Sequence, residues 1–376
     1  MLSVEQFVEA GLYDPAEHEG TDRLELLHWL DSLGFTIPEL NAGACGHGLS
    51  SIAGDRRTVP GKMMSRSDAI EMSGLDADTF DDFVTGFGFA PIPGAPSGEI
   101  GFTEAEVEAI CLVGSMSSMF SVAETMGFVR VLGSALGRIG EAAVSLFLTD
   151  VEDPHITAGD SEFSLAKKVY EAVGLLDGLG ERLDPILRRQ LMQAVVRTRE
   201  AAVMERLRFR FAIGFVDLVG FTERSAEMSA QNLTTFIREF EGRAHDVMTD
   251  HGARVVKLIG DEVMFVATEP GAACRAAGAL MEGFADEGEH VFPRAGIAYG
   301  NVLVRGGDYY GSVVNLASRL VDEAVPQEVL VTDDLAEAAT GCNFVPAGRR
   351  VVKGFPEPIA VQSLAAPATN TPTSNA

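Results

Sequence analysis

Three short stretches in the second half of the chain carry residue types that can handle a polyphosphate. FVDLVGFT, residues 215–222, puts Asp217 at the end of an apolar run that turns through Gly220. A carboxylate there can bind a divalent cation, and the backbone N–H groups of Gly220, Phe221 and Thr222 can meet phosphate oxygens. An aspartate before a helix serves equally well as an N-cap, so this stretch alone decides nothing. KLIGDE, residues 257–262, puts Asp261 at the tip of a turn, where a Gly-Asp pair is common. Its flanks, Val255, Val256, Leu258 and Ile259 before and Val263, Met264, Phe265 and Val266 after, are apolar on both sides. Such flanks describe a hairpin central to a sheet. A central hairpin that brings Asp261 beside Asp217 would form a site for two Mg²⁺ or Mn²⁺ ions. DYYGSVVNLASR, residues 308–319, sets Asn315 and Arg319 four apart on one helix face. An amide and a guanidinium so spaced could hold a ribose and a phosphate, although a surface pair explains that spacing as well.

The elements that must position these residues follow from hydrophobic period. Residues 4–208 are mostly helical, with apolar positions three and four apart; Leu24, Leu27, Leu30 and Leu33 illustrate the spacing. Residues 184–210 are expected to form one long helix with a basic face of Arg188, Arg189, Arg197, Arg199, Arg206, Arg208 and Arg210. Beyond it, strand signals at 209–217, on both sides of 260–262, at 294–304 and at 328–332 alternate with helical signals at 225–250, 271–287 and 311–321. A β-α-β-β-α-β order describes a ferredoxin-like α+β sheet. The expected organisation is a helical domain over 1–183, a connecting helix over 184–206, an α+β domain over 207–364 and a disordered tail over 365–376.

FVDLVGFT, KLIGDE, RAGIAYG (294–300) and DYYGSVVNLASR, in this order and spacing, resemble the signature of class III nucleotide cyclases. Each motif is weak singly and the four are specific jointly. The helical half, with segments such as VPGKMMSRSDAIEMSGLD (59–76), resembles the regulatory domain attached to soluble mycobacterial members of that family. The resemblance implies a ferredoxin-like catalytic domain that converts ATP to 3′,5′-cyclic AMP and pyrophosphate. It implies that Asp217 and Asp261 hold the metals, Lys257 and Asp308 read the purine, Asn315 and Arg319 serve the transition state, and Lys353 neutralises the triphosphate. Lys257 and Asp308 complement adenine N1 and its 6-amino group, whereas a guanine would leave polar groups unpaired. Asn301 departs from the pattern, since several relatives carry arginine after the RAGIAYG motif. The resemblance also implies a homodimer whose two sites each draw on both subunits. The rival reading is a catalytically silent nucleotide-binding or dimerisation module of the same fold.

Bulk composition limits the partners. A formal net charge of -26 opposes a nucleic-acid partner, and Asp76, Asp78, Asp81 and Asp82 make the helix-turn-helix-like residues 66–89 a packing element and not a DNA reader. Glu5 and Glu9 oppose an export signal, and four isolated cysteines fit a reducing cytoplasm. Glu124, Arg130, Arg138 and Glu141 interrupt the apolar residues 109–148, so no membrane span is expected; the Leu, Met and Phe content of residues 110–148 is assigned to ordinary core, with a site for an apolar ligand as the alternative. His18, His28, His47 and His155 raise the expectation that regulation by the helical domain responds to pH.

Overall fold

The computed structural model describes residues 1–17, 22–46, 48–92, 100–201, 208–283 and 292–365. His18, His47, the end of the proposed connecting helix and the tail from residue 366 lie outside the described residues. The chain divides into two compact units, Met1–Pro185 and Ile186–Ala376.

The first unit is helical. Helices α1 (Val4–Glu9), α2 (Arg23–Ser32), α3 (Ile37–Cys45) and α4 (Ile52–Thr58) precede α5 (Arg66–Ser73), α6 (Ala77–Phe87), α7 (Glu104–Ser115) and α8 (Val122–Phe147); α9 (Asp153–Ala158) and α10 (Glu162–Val173) complete it. One core gathers Phe7, Leu26, Leu27, Leu30 and Leu40 with Ala166 of α10, where Trp29 meets Tyr170 edge-on at 5.5 Å. A second gathers Phe80, Phe83, Val107 and Ile110 with Val129 of α8. Residues 66–89 are packing elements: Arg66 pairs with Asp81 at 2.6 Å, and Phe80 and Phe83 are buried.

The assignment of residues 110–148 to ordinary core holds only in part. Gly133 of α8 lies against the backbone of Phe87, but residues 134–146 are exposed, Leu136, Ile139 and Leu146 among them. The apolar period there is real, and nothing among the described residues of the unit covers it. Residues Val122–Ala158 are long and apolar enough to cross a membrane by length and composition, with Arg130, Arg138 and Glu141 within the stretch.

Helix α11 (Leu179–Ala201) runs across the division between the units, so the predicted helix over 184–210 begins earlier and ends sooner. Arg208 and Arg210 belong instead to strand β1 (Arg208–Val219), because alternating Phe209, Phe211, Ile213 and Phe215 fit a two-residue period.

The second unit is an eight-stranded sheet among the described residues. After β1 come α12 (Phe221–Glu227), α13 (Ala230–Asp250), β2 (Arg254–Ile259), β3 (Glu262–Ala267), α14 (Pro270–Glu282), β4 (Phe292–Arg305), β5 (Asp308–Tyr310), α15 (Ser312–Glu323), β6 (Val329–Thr332), α16 (Asp333–Ala338), β7 (Phe344–Arg350) and β8 (Ile359–Leu364). The strand order is β2-β3-β1-β4-β6-β8-β7, with β5 pairing β4. Its first four strands have the predicted ferredoxin-like order, and β5, β6, β7 and β8 extend it. The predicted helix over 225–250 is two helices, because Ser229 caps α13 through its side chain.

Both faces of β1 are buried. Ala212, Val216 and Leu218 face a core with α13 and α14, and Phe211, Ile213 and Phe215 face a second core with Ala317 and Val321 of α15. Gly296 lets α15 lie directly on β4: a Cβ there would sit 2.3 Å from the Val321 nitrogen and 2.6 Å from the Ala317 oxygen.

Candidate active site

Asp217 stands near the end of β1, directly opposite Glu262 of β3 on one side and Arg294 of β4 on the other. Directly opposed residues share a sheet face, so carboxylate, carboxylate and guanidinium form one row. Asp261 occupies the turn before β3, entered through Gly260 at φ +64°, a left-handed conformation that favours glycine. The sheet therefore brings together the two aspartates singled out by spacing.

The row is electrostatically strained. Burial, and then the charge of Asp217, push the Asp261 carboxyl above its usual range. Glu262 is pushed up to about 7, chiefly by burial and then by the charges of Asp217, Asp322 and Asp261. Arg294 relieves part of this, donating to Asp217 Oδ2 through Nε at 3.0 Å and Nη2 at 2.8 Å. No group of three His, Cys, Asp or Glu side chains among the described residues makes a protein-only metal cage. Repelling carboxylates without such a cage fit ions whose other ligands are phosphate oxygens and water.

Lys257 of β2 and Asp308 of β5 meet at the other candidate position, Nζ to Oδ2 at 2.5 Å. Asp308 Oδ1 accepts the N–H of Tyr309 at 2.8 Å, and the buried Tyr309 receives a hydrogen bond from Arg254 Nη2 at 3.0 Å. The pair is thus held by both strands. A bulge between Val255 and Lys257 shifts the register of β2 just before the lysine.

Asn315 and Arg319 are both exposed on α15, one turn apart, and Arg319 Nη1 lies 3.8 Å from Asp322 Oδ2. Phe221 stacks on Phe236 at 5.6 Å, which fixes the turn after Asp217, while Thr222 is exposed. Lys353 is exposed in the turn between β7 and β8, and the ion pair found in the carboxylate row among the described residues is that of Arg294 with Asp217. Asn301 is exposed on β4 opposite Arg210, whose guanidinium lies 4.5 Å from the centre of the Tyr299 ring. Spacing alone missed Glu262, Arg294 and Asp322. The first two lie inside the quoted motifs, but only the register of three strands puts them beside Asp217.

Residues 208–363 match the family model described as the adenylate and guanylate cyclase catalytic domain. An adenylate cyclase of Streptomyces coelicolor is 32% identical over 282 residues, which cover 74% of this chain and 72% of that one. The chain belongs to this family. The similarity of this cyclase extends beyond the catalytic unit: an uncharacterized Mycobacterium tuberculosis protein is 29% identical over 365 residues, 95% of this chain and 93% of that protein. Among solved structures, the adenylyl cyclase CyaB from P. aeruginosa aligns with a TM-score of 0.40 at 23% identity, covering 43% of this chain and 96% of that one.

Proposed function

We propose that this cyclase converts ATP to 3′,5′-cyclic AMP and pyrophosphate, and that the observation carrying the choice of ATP is the Lys257–Asp308 pair. An ammonium can donate to adenine N1 and a carboxylate can accept from the 6-amino group. Guanine presents an N–H and a carbonyl at those edges, which would set donor against donor and acceptor against acceptor. Asp308 is already oriented by the Tyr309 N–H, so little ordering is left for binding.

Asp217 and Asp261 hold the divalent ions, Mg²⁺ or Mn²⁺, two per site. When bound, such ions offset triphosphate charge and lower the pKa of the ribose 3′-OH, so that it can attack the α-phosphorus as pyrophosphate leaves. Asn315 orients the ribose. Arg319 offsets charge developing on the α-phosphoryl oxygens. Lys353 and the amides of Gly220, Phe221 and Thr222 take the outer phosphates. The metal aspartates of one subunit complete a site with Lys257, Asp308, Asn315 and Arg319 of another, giving a homodimer with two shared sites. Exposure of Asn315 and Arg319 supports this division, since it leaves both side chains accessible to a second subunit. The helical unit regulates the activity. Of the histidines proposed for pH response, His28 packs edge-on against Phe7 at 5.4 Å, and His155 lies 3.4 Å from Asp160.

The test is incubation of the purified chain with ATP or GTP and Mn²⁺, with chromatographic detection of cyclic product. Product from ATP in excess of that from GTP is expected, and equal rates would remove the adenine assignment. A mixture of Asp217→Ala and Asn315→Ala chains should regain activity at one of two sites; silence in demonstrated mixed dimers would remove the shared-site arrangement.

A further inference from the structure

Arg294 does more than face Asp217 across two strands. Its Nε and Nη2 both donate to one carboxylate oxygen, Oδ2, leaving Oδ1 outside the contact. Its Nη1 donates to the backbone carbonyl of Asp322 at 3.1 Å, and Nη2 lies 3.9 Å from Asp322 Oδ1. Asp322 sits in the last turn of α15, where its Oδ2 is 3.8 Å from Arg319 Nη1. A chain of charged contacts therefore runs from Asp217 through Arg294 and Asp322 to Arg319. The Arg294 and Asp217 side chains are only 23% and 22% exposed, so this is not a solvated surface pair. Bonding a carboxylate and a carbonyl at once suits the planar fork of a guanidinium and not the single ammonium of lysine.

We infer that Arg294 is a positioning residue that fixes the Asp217 carboxylate by one oxygen and ties it to the end of α15 beside Arg319. The oxygen left over is the one a divalent ion can take. In the shared-site dimer proposed above, on which this last step rests, Asp217 and Arg319 of one chain serve different sites. Arg294 then sets the spacing between the metal-binding half of one site and the phosphate-stabilising half of the other. The arrangement works against cation affinity, because a guanidinium beside the carboxylate repels any ion that binds there. A residue kept for geometry and a residue kept for cation binding therefore predict opposite changes when Arg294 is neutralised.

The experiment compares full-length wild type, Arg294→Gln and Arg294→Lys. Mn²⁺ binding to nucleotide-free protein is followed by electron paramagnetic resonance of the free ion, and turnover of ATP is measured at saturating Mn²⁺. Arg294→Gln is expected to bind Mn²⁺ about three- to ten-fold more tightly, since a repelling charge is gone. Its kcat should nonetheless fall at least about ten-fold with KM for ATP within about three-fold. Arg294→Lys keeps the charge, so its Mn²⁺ affinity should stay within about two-fold of wild type while kcat remains reduced. Tighter metal with slower turnover is a combination that misfolding does not produce. Weaker Mn²⁺ binding by Arg294→Gln, or wild-type kcat in both variants, would overturn the assignment. If wild type forms no cyclic product, the proposed function fails instead, and the Mn²⁺ comparison still tests the part played by Arg294.

Discussion

Glu262 offers the sharpest test of the carboxylate row. Its carboxyl is raised from an ordinary 4.5 to about 7, first by burial and then by Asp217, Asp322 and Asp261. Below pH 4.5 the group is protonated in folded and unfolded chains alike, and it costs nothing. Between 4.5 and 7 the unfolded chain loses the proton while the folded one keeps it, so stability falls as pH rises. Above 7 both are ionised and the full cost is present. A difference of that size corresponds to about 3 kcal/mol if fully realised. Glu262 is only part-buried, so solvent screening reduces this to about 1–2 kcal/mol. Glu262→Gln keeps the shape and removes the charge. Scanning calorimetry of the full chain in EDTA should show the two proteins melting together near pH 4. At pH 8 the variant's catalytic unit should melt about 3–6 °C higher. Trp29, the single tryptophan, belongs to the helical unit, so its fluorescence transition supplies an internal control that should not move. A gap that is equal at both pH values, or a variant less stable at pH 8, would refute the account of the row.

Two further outcomes follow from the geometry. Gly296→Ala drives a Cβ into the backbone of Val321 and Ala317, which cannot yield as a side-chain tip would. It should cost about 1–3 kcal/mol in thermal unfolding and abolish turnover by displacing the helix that carries Asn315 and Arg319. Lys257→Ala leaves Asp308 without its 2.5 Å partner. It should lower the preference for ATP over GTP about ten- to hundred-fold in competition assays, the loss expected when a buried purine edge goes unmatched.

How far the site could be read from sequence depends on which interactions are local. Asp217, Asp261, Asn315 and Arg319 sit where a strand end, a turn and a helix face are written into a few adjacent residues, and hydrophobic period was enough to place each on its element. The ferredoxin-like order was legible for the same reason: each strand and helix signals itself. Strand β5 was missed because three residues, Asp308–Tyr310, are too few to display alternation. β7 was missed because Pro346, Gly348 and two arginines interrupt the alternation that Phe344 begins.

Glu262 and Arg294 were invisible for a different reason. Both were inside motifs already singled out, but their importance lies in standing opposite Asp217 on two neighbouring strands, and register between strands far apart in sequence has no local signature. Burial has the same non-local character. The apolar period of α8 correctly indicated a helix with faces to cover, and it could not say that the cover would stop at Gly133. The chemistry of this cyclase is therefore divided between two kinds of residue. The groups proposed to touch the nucleotide are legible one motif at a time. The groups that set their charge and spacing, Arg294 above all, exist as a set only once β1, β3, β4 and α15 have packed.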